Sequence, residues 1–301
     1  MDRLLDPKND WAFKQVFGQE KNKNILISFL NAIFKDIQDE IVDVTFLKVE
    51  TDTEIITLRQ SIVDVLCKTV DGRHFIVEMQ RASDTGFIQR AVEYASRVYL
   101  NQRSIEKKIK NDKGGYNKMR PVIFLAIMEK TLFPKKEAYL SHHQFRDIVT
   151  GEQDIKEMSF TFLELSKFNK HFEELNDDID QWAYYFKKAK HITPEKLNKI
   201  LSQGTIFGEA YKVLEKSAYS ETQLLEYTRY ELKEEEIETR ISDAKIEGEK
   251  IGEARGIEKG AQQTKIETAK NFLKMGLTLE QVAQGTGLTV SEIEDIQNLG
   301  I

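Results

Sequence analysis

The sequence predicts a mixed α/β fold, in which one sheet is flanked by helices and followed by an α-helical C-terminal extension. Residues 61–80 contain two β-branched runs around an Asp-Gly turn signal and should form a β-hairpin. Residues 122–128, VIFLAIM, form a continuous apolar run that is typical of a strand buried on both faces. Apolar residues recur at helical spacing over 9–34 and 84–110. Strands alternating with helices in this way indicate a sheet covered by helices.

The elements follow in order along the chain. The first helical segment is interrupted near Gly18, and both Asn9 and Asp10 are candidates for its N-cap. Because helices and strands differ in the period of their apolar residues, the remaining segments can be assigned from pattern. The predicted strands are 41–49, 61–69, 73–80, 122–128 and 158–165, and the later predicted helices are 84–110, 178–190 and 194–202.

The C-terminal third differs in composition from the rest. Residues 229–263 are dense in Glu, Lys and Arg and carry a glycine at every fourth position from 248 to 260. Each glycine costs a helix roughly 1 kcal/mol relative to alanine. The segment is therefore either a frayed tether or a face that lets a second helix approach closely, which would give a homodimer.

The last residues, 264–301, resemble a helix-turn-helix, with Ala283, Gly287 and Ile293 in the small, turn and apolar roles. The second helix of this pair is acidic and carries no Arg or Lys, so reading DNA with it is unfavourable. We therefore expect a helical cap or protein-contact module. The predicted domains are a mixed α/β domain at 1–202, a charged helical linker at 203–263 and this small unit at 264–301.

Charge and cysteine content limit the classes of function. The 301 residues have a net charge of -6, which is unfavourable for binding phosphates, although the local field matters more than the total. Cys67 is the single cysteine, so no internal disulfide can form and a reducing cytoplasm is the expected location. No segment is apolar enough to be a signal sequence or to span a membrane, so no membrane partner is expected.

The chemistry depends on Asp64 and Glu78, each of which lies among apolar residues of a predicted strand. A buried carboxylate is costly unless it is paired, hydrogen-bonded or bound to a metal. A two-residue Asp71-Gly72 turn would place the two acids on opposite faces of the sheet. A three-residue loop ending at Gly72 would place them directly opposite each other, because Gly supplies the left-handed conformation that this loop needs. We predict the second register.

Gln80 faces the same side of the strand as Glu78 and completes a polar cluster with Asp64. Paired carboxylates are the ligands that Mg²⁺ and Mn²⁺ prefer. The alternative is a surface acid pair without a ligand, but Leu66 and Ile76 share this face, which argues against a solvated surface.

The pattern Asp64, then Glu78-x-Gln80, resembles the signature of the PD-(D/E)XK nuclease superfamily. The wider sequence resembles the Rpn family of recombination-promoting nucleases and transposase-like proteins, over roughly the first 190 residues. The segments that carry the resemblance are LDPKNDWAFKQVFG at 5–18, SIVDVLCKTVDGRHFIVEMQ at 61–80, FIQRAVEYASRVYLNQ at 87–102, PVIFLAIM at 121–128 and FTFLELSKF at 160–168.

This resemblance implies a restriction-endonuclease-like core and Mg²⁺-dependent cleavage of DNA, with Asp64 and Glu78 as metal ligands and Asp10 as a candidate for a further acid. The superfamily usually has a lysine where this chain has Gln80, which cannot supply positive charge. Glutamine at this position is itself typical of the Rpn-like group.

A substitute cation is therefore expected, and the candidates are Lys68, which shares a face with Asp64, and Arg90 on the following helix. Arg90 and Arg97 lie on one helical face and are candidates for phosphate contacts, although pairing with Glu93 within the helix is an equal alternative. Glu164 and Lys167, at the end of a predicted strand, are expected to form a structural ion pair or a turn.

These patterns lead to two functional hypotheses. The first is a metal-dependent DNA endonuclease that acts in recombination or mobile-element activity. The alternative is a catalytically weak or inactive nuclease-fold protein that binds DNA or protein, and it follows from Gln80 and from the acidic balance of the chain.

Overall fold

The computed structural model describes residues 3–47, 63–82, 85–110 and 116–298. The chain divides into two compact units, Met1–Glu234 and Glu235–Ile301. The first unit contains the sheet and the helices that cover it, and the second is helical. This arrangement confirms the predicted fold class.

Among the described residues, six strands form one mixed sheet in the order β1-β2-β3-β4-β6-β5. Neighbours are antiparallel in the pairs β1–β2, β2–β3 and β5–β6, whereas β3, β4 and β6 run parallel. The strands are β1 (Val44–Phe46), β2 (Val65–Thr69), β3 (His74–Gln80), β4 (Val122–Met128), β5 (Leu140–Gln144) and β6 (Met158–Glu164).

The β2–β3 hairpin has the register that was predicted from the sequence. Val65 lies opposite Val77, which leaves a three-residue loop that ends at Gly72. Gly72 has a φ of 89°, a left-handed conformation that costs glycine little because it has no Cβ. The same register continues to Asp64 and Glu78, so the prediction that these two acids lie opposite each other is confirmed.

Helices cover both faces of the sheet. On one face, α3 packs on a core that includes Ile76, Ala91 and Phe124. On the other, the remaining helices of this unit bury a larger aromatic core that includes Phe13 and Trp182. The helices are α1 (Asp10–Phe17), α2 (Lys23–Phe34), α3 (Phe87–Lys110), α4 (Asp178–Lys188), α5 (Pro194–Ser202) and α6 (Ile206–Val213).

Two elements were not predicted from the sequence, β5 and α6. The residues of β5 are mostly half-buried at the edge of the sheet and include His142 and His143, so they show no alternating apolar pattern. Of the predicted strand 41–49, only Val44–Phe46 form a strand within the described residues, and residues 48–49 lie outside the described range. The same holds for residues 61–62 and for the predicted helix start at 84.

The first unit continues beyond residue 202, where the sequence analysis places the end of the nuclease-like domain. Tyr211, Leu214 and Tyr227 are buried in its core, and Leu5 N–H donates to the Leu214 carbonyl at 2.9 Å. Helix α6 and the first turns of α7 (Glu221–Lys274) therefore belong to this unit. The division of the remaining residues into a linker and a separate terminal unit stays a prediction.

The second unit has a small core of its own, in which Ala269, Val282 and Ile293 are buried. Its short helices are α8 (Leu279–Thr286) and α9 (Val290–Asn298). Gly287 ends α8 with a φ of 70°, as the turn role assigned to it from sequence requires. The glycines at 248–260 lie within α7, where no heavy atom of the described chain lies within 4 Å of an added Cβ.

Candidate active site

The two acids meet where β3 ends and the chain enters β2. Side-chain alternation directs Val77 and Met79 into the large aromatic core and turns Glu78 to the α3 side of the sheet. Asp64 N–H donates to Glu78 Oε2 at 3.2 Å, and Met79 N–H donates to Asp64 Oδ2 at 2.9 Å. Each carboxylate is therefore held by a backbone group of the opposite strand, which fixes the two side chains beside each other.

The electrostatics of this pair are unfavourable for two negative charges. Burial raises the pKa of Glu78 to about 8, and the charge of Asp64 adds to the rise. The hydrogen bond from the Asp64 N–H and the charge of Arg90 oppose it only in part. Near neutral pH, Glu78 therefore holds a proton unless a cation binds beside it.

Asp10 is the first residue of α1 and does not cap the helix. That role belongs to Asn9, whose Oδ1 accepts hydrogen bonds from the N–H groups of Trp11 and Ala12. Burial, followed by the charge of Asp64, raises the pKa of Asp10 to about 6. Asp10 thus shares the electrostatic environment of the pair, as expected for the further acid.

Lys14, which the sequence analysis did not single out, contacts the acid pair. It lies one turn after Asp10 on α1, and its Nζ is 3.2 Å from Asp64 Oδ1. Burial lowers the pKa of Lys14, but the charge of Asp64 and the hydrogen bond to it outweigh this effect, so the pKa lies above its usual value. The four-residue spacing from Asp10 was the signal that could have placed Lys14 on the same helical face.

Gln80 and Arg90 are also brought together. Arg90 Nη2 donates to Gln80 Oε1 at 2.8 Å, and Gln80 Nε2 donates to the carbonyl of Ala82 at 2.8 Å. The positive charge of Arg90 also lowers the pKa of Glu78. Of the candidate cations predicted from sequence, Arg90 is the one that lies beside the pair.

Lys68 and Arg97 lie farther away. Lys68 is exposed and lies opposite His74 at the far end of the hairpin, four residues or about 13 Å along the strand from Asp64. Arg97 pairs with Glu93 on its own helix, which is the alternative that the sequence analysis left open. The structure therefore separates both cations from the acid pair.

A second ionic cluster, also missed from sequence, joins α7 to this region. Arg81 pairs with Glu234 and, at 3.2 Å, with Glu129. Burial raises the pKa of Glu234 to about 7, and Trp11 Nε1 on α1 donates to Glu226 Oε2 on α7 at 3.2 Å. The first turns of α7 therefore contact the beginning of α1.

The donor atoms fit a hard divalent cation. Asp64 and Glu78 offer carboxylate oxygens side by side, and their mutual repulsion would be relieved by positive charge between them. Within the described residues, no three His, Cys, Asp or Glu side chains are grouped as a metal site. The protein itself thus offers two ligands, with Asp10 nearby.

Comparison with known proteins identifies one family. The model described as PD-(D/E)XK nuclease family transposase matches residues 7–244. This range includes Asp10, Lys14, Asp64 and Glu78, and it extends into α7 beyond Glu234. No curated protein and no solved structure matches the chain. Over the described part of the chain, no helix is both long and apolar enough to cross a membrane.

Proposed function

Because the chain belongs to the PD-(D/E)XK nuclease family transposases, we propose that it is a metal-dependent endonuclease that hydrolyses phosphodiester bonds in DNA. The observation that carries the proposal is the partly buried pair of Asp64 and Glu78, in which each carboxylate accepts a hydrogen bond from a backbone N–H of the opposite strand. Such a pair is costly for stability, and a cation that binds DNA phosphate would account for it.

In this proposal Asp64 and Glu78 hold the ion. Mg²⁺ is the expected ion, and Mn²⁺ has the same preference for oxygen ligands. When bound, such an ion polarises the phosphodiester and makes a bound water more acidic. Gln80, anchored by Arg90, would orient water or phosphate at the edge of the site. Asp10 adds negative charge at the start of α1.

The test is nicking of supercoiled plasmid by the full-length protein with Mg²⁺ and with a chelator. We expect metal-dependent nicking that is lost in Asp64→Asn and Glu78→Gln. The matched control is Asp43→Asn, which removes an exposed carboxylate that pairs with Lys23 instead. Equal nicking by all four proteins would show a contaminating nuclease and would overturn the proposal.

A second candidate function is a nuclease-fold protein that binds DNA or protein without turnover. The observation that favours it is Gln80, whose amide is engaged with Arg90 and Ala82 and brings no charge to the phosphate. A gel-shift experiment run beside the nicking assay tests this candidate. Binding of the plasmid without nicking would support it and exclude the first candidate.

We also propose that the glycine face of α7 packs against the same helix of a second copy. Glycines at every fourth residue from 248 allow close approach of helices, and Ile241 and Ile251 are exposed on α7. Light scattering of the wild type is expected to give a dimer mass, and Gly252→Leu with Gly256→Leu a monomer mass. Gln262→Leu is the control on the same helix, and a monomeric wild type would refute the proposal.

A further inference from the structure

The site needs a positive charge that position 80 does not supply. Hydrolysis of a phosphodiester adds negative charge to the phosphoryl oxygens in the transition state, and a preorganised cation beside them is a large source of rate. Gln80 is neutral, and its amide hydrogen bonds tie it to Arg90 and Ala82. A protein cation that acts beside the bound ion therefore has to come from another part of the fold.

The structure brings an ammonium group to the acid pair from a different element. Lys14 Nζ lies 3.2 Å from Asp64 Oδ1, and the lysine side chain is 30% exposed. It is thus close to the acids and still accessible to a substrate. A lysine ammonium is positively charged at neutral pH, and the contact with the Asp64 carboxylate favours that form.

The backbone of α1 holds this lysine in place. Asn9 caps the helix, and Phe13 and Phe17, on either side of Lys14 in the sequence, are fully buried. Their rings pack against each other with centroids 4.9 Å apart. Because the buried face of α1 is anchored in the core, the fold fixes the position from which the Lys14 side chain contacts Asp64.

The other positively charged side chains considered for this site have different partners or positions. Lys68 and Arg97 lie away from the acid pair, and Arg90 donates to Gln80. Arg81 pairs with two carboxylates, Glu129 and Glu234. Lys14 therefore differs from these cations in contacting Asp64 directly.

We propose that Lys14 is the catalytic cation of this site and takes the role of the lysine that the nuclease pattern has at position 80. The inference rests on the proposed nuclease function. In the step it serves, a water oxygen bonds to phosphorus and the bond to the leaving sugar oxygen breaks. The water gives a proton to solvent, and the leaving oxygen takes one from solvent. Lys14 keeps its own proton and contacts the phosphoryl oxygen on which charge accumulates.

The experiment compares Lys14→Met and Lys14→Arg with the wild type in Mg²⁺-dependent plasmid nicking, measuring kcat and KM separately. Removing one such electrostatic group costs about 100-fold to 1,000-fold in kcat. We expect a loss of this size for Lys14→Met with little change in KM, and a smaller loss for Lys14→Arg. Lys68→Met is the matched control and should keep wild-type rates, because that lysine is exposed and distant from Asp64.

A rescue variant separates catalysis from a structural role. Adding Gln80→Lys to Lys14→Met restores the usual position of the lysine and should recover at least about tenfold of the lost kcat. A purely structural role for Lys14 predicts no recovery, and that result would overturn the assignment, as would wild-type kcat in Lys14→Met. A wild type that does not nick plasmid with Mg²⁺ would overturn the nuclease proposal itself, and the assignment of Lys14 with it.

Discussion

Two groups of buried carboxylates in the first unit differ in how their charge is balanced. Glu164, at the end of β6, is fully buried. It accepts hydrogen bonds from the N–H groups of Leu132 at 2.6 Å and Phe133 at 3.0 Å, and it pairs with Lys167 at 2.6 Å. The structural ion pair predicted from the sequence is confirmed, and it ties the segment after β4 to the end of β6.

Asp180 on α4 is balanced in the same way. Lys170 Nζ lies 2.7 Å from its carboxylate, and the hydroxyl of Tyr139 and the N–H of Asn176 donate to it at 2.8 and 3.1 Å. Burial alone would raise the pKa of Asp180, but the hydrogen bonds from Lys170, Asn176 and Tyr139 lower it below its usual value.

Glu78 and Asp64 show the opposite balance. Burial is the main cause of the raised pKa of Glu78, and the strongest charge acting on Glu78, the like charge of Asp64, raises it further. The negative charges of Glu164 and Asp180 are thus balanced by lysines and hydrogen-bond donors of the protein, whereas those of the acid pair are balanced only in part. Burial of an acid does not by itself indicate a functional site, and burial beside a like charge is the feature on which we base the proposed site. The following predictions test this difference.

The largest expected effect is on activity. Asp64→Asn and Glu78→Gln should reduce plasmid nicking by at least about 100-fold, because each removes a proposed ligand of the ion. Glu78→Gln should not reduce the free energy of unfolding in chelator, because it replaces a carboxyl group whose charged form is disfavoured by burial and by the charge of Asp64. Urea denaturation alongside the nicking assay checks both. If Glu78→Gln lost stability together with activity, this would contradict the proposal that the acid pair, unlike Glu164 and Asp180, does not stabilise the fold.

The next effect is on stability. Glu164→Gln leaves Lys167, whose side chain is 10% exposed, without a counter-charge. Breaking a buried ion pair from one side costs about 3–5 kcal/mol. We expect a loss of about 3 kcal/mol in the free energy of unfolding, measured with urea. Nicking well below the melting temperature should be retained, and selective loss of nicking would instead assign Glu164 to the active site.

A smaller loss of stability is expected for Asp180→Asn. Lys170 is 39% exposed and can turn to water when its partner loses charge, so the remaining cost is that of weakened hydrogen bonds. This cost should be about 1–2 kcal/mol, measured by the same denaturation. Leu175→Ala, which trims a partly buried apolar residue of the same segment, provides a packing control.

The last prediction concerns the dependence of stability on pH. The pKa of Glu78 rises from 4.5 to about 8 on folding, so the folded protein keeps a proton that the unfolded chain releases between these values. Stability should therefore fall as pH rises from about 5 to 8. In Glu78→Gln this contribution is absent, and its melting temperature in chelator should exceed that of the wild type by a margin that grows with pH. A constant margin would contradict the raised pKa.

The sign is reversed for Asp180, whose pKa is lowered in the folded protein. Its contribution to stability is present above its usual pKa of 3.8 and is lost as pH falls through the lower folded value. The melting temperature of Asp180→Asn should therefore approach that of the wild type in acid. Both variants thus approach the wild type in acid and diverge from it as pH rises, Glu78→Gln toward higher stability and Asp180→Asn toward lower stability.

The sequence by itself determined the hairpin and its acid pair. Strand alternation fixes which side chains share a face, and a three-residue loop ending in glycine sets the register, so both are local properties of residues 61–80. The buried strand β4 and the start of α1 could also be predicted from the sequence, because they depend on the pattern of neighbouring residues. The half-buried edge strand β5 lacked such a pattern, since its place depends on pairing with β6.

Only the tertiary structure decided which charges surround the acids. Lys14 reaches Asp64 because α1 packs into the same core as β2 and β3, and Glu234 reaches Arg81 because α7 returns to this region after more than 150 residues. Same-face cations such as Lys68 were plausible from sequence but lie too far along the strand. Coulombic interaction depends on distance in space, and separation along the chain does not report that distance until the helices are packed.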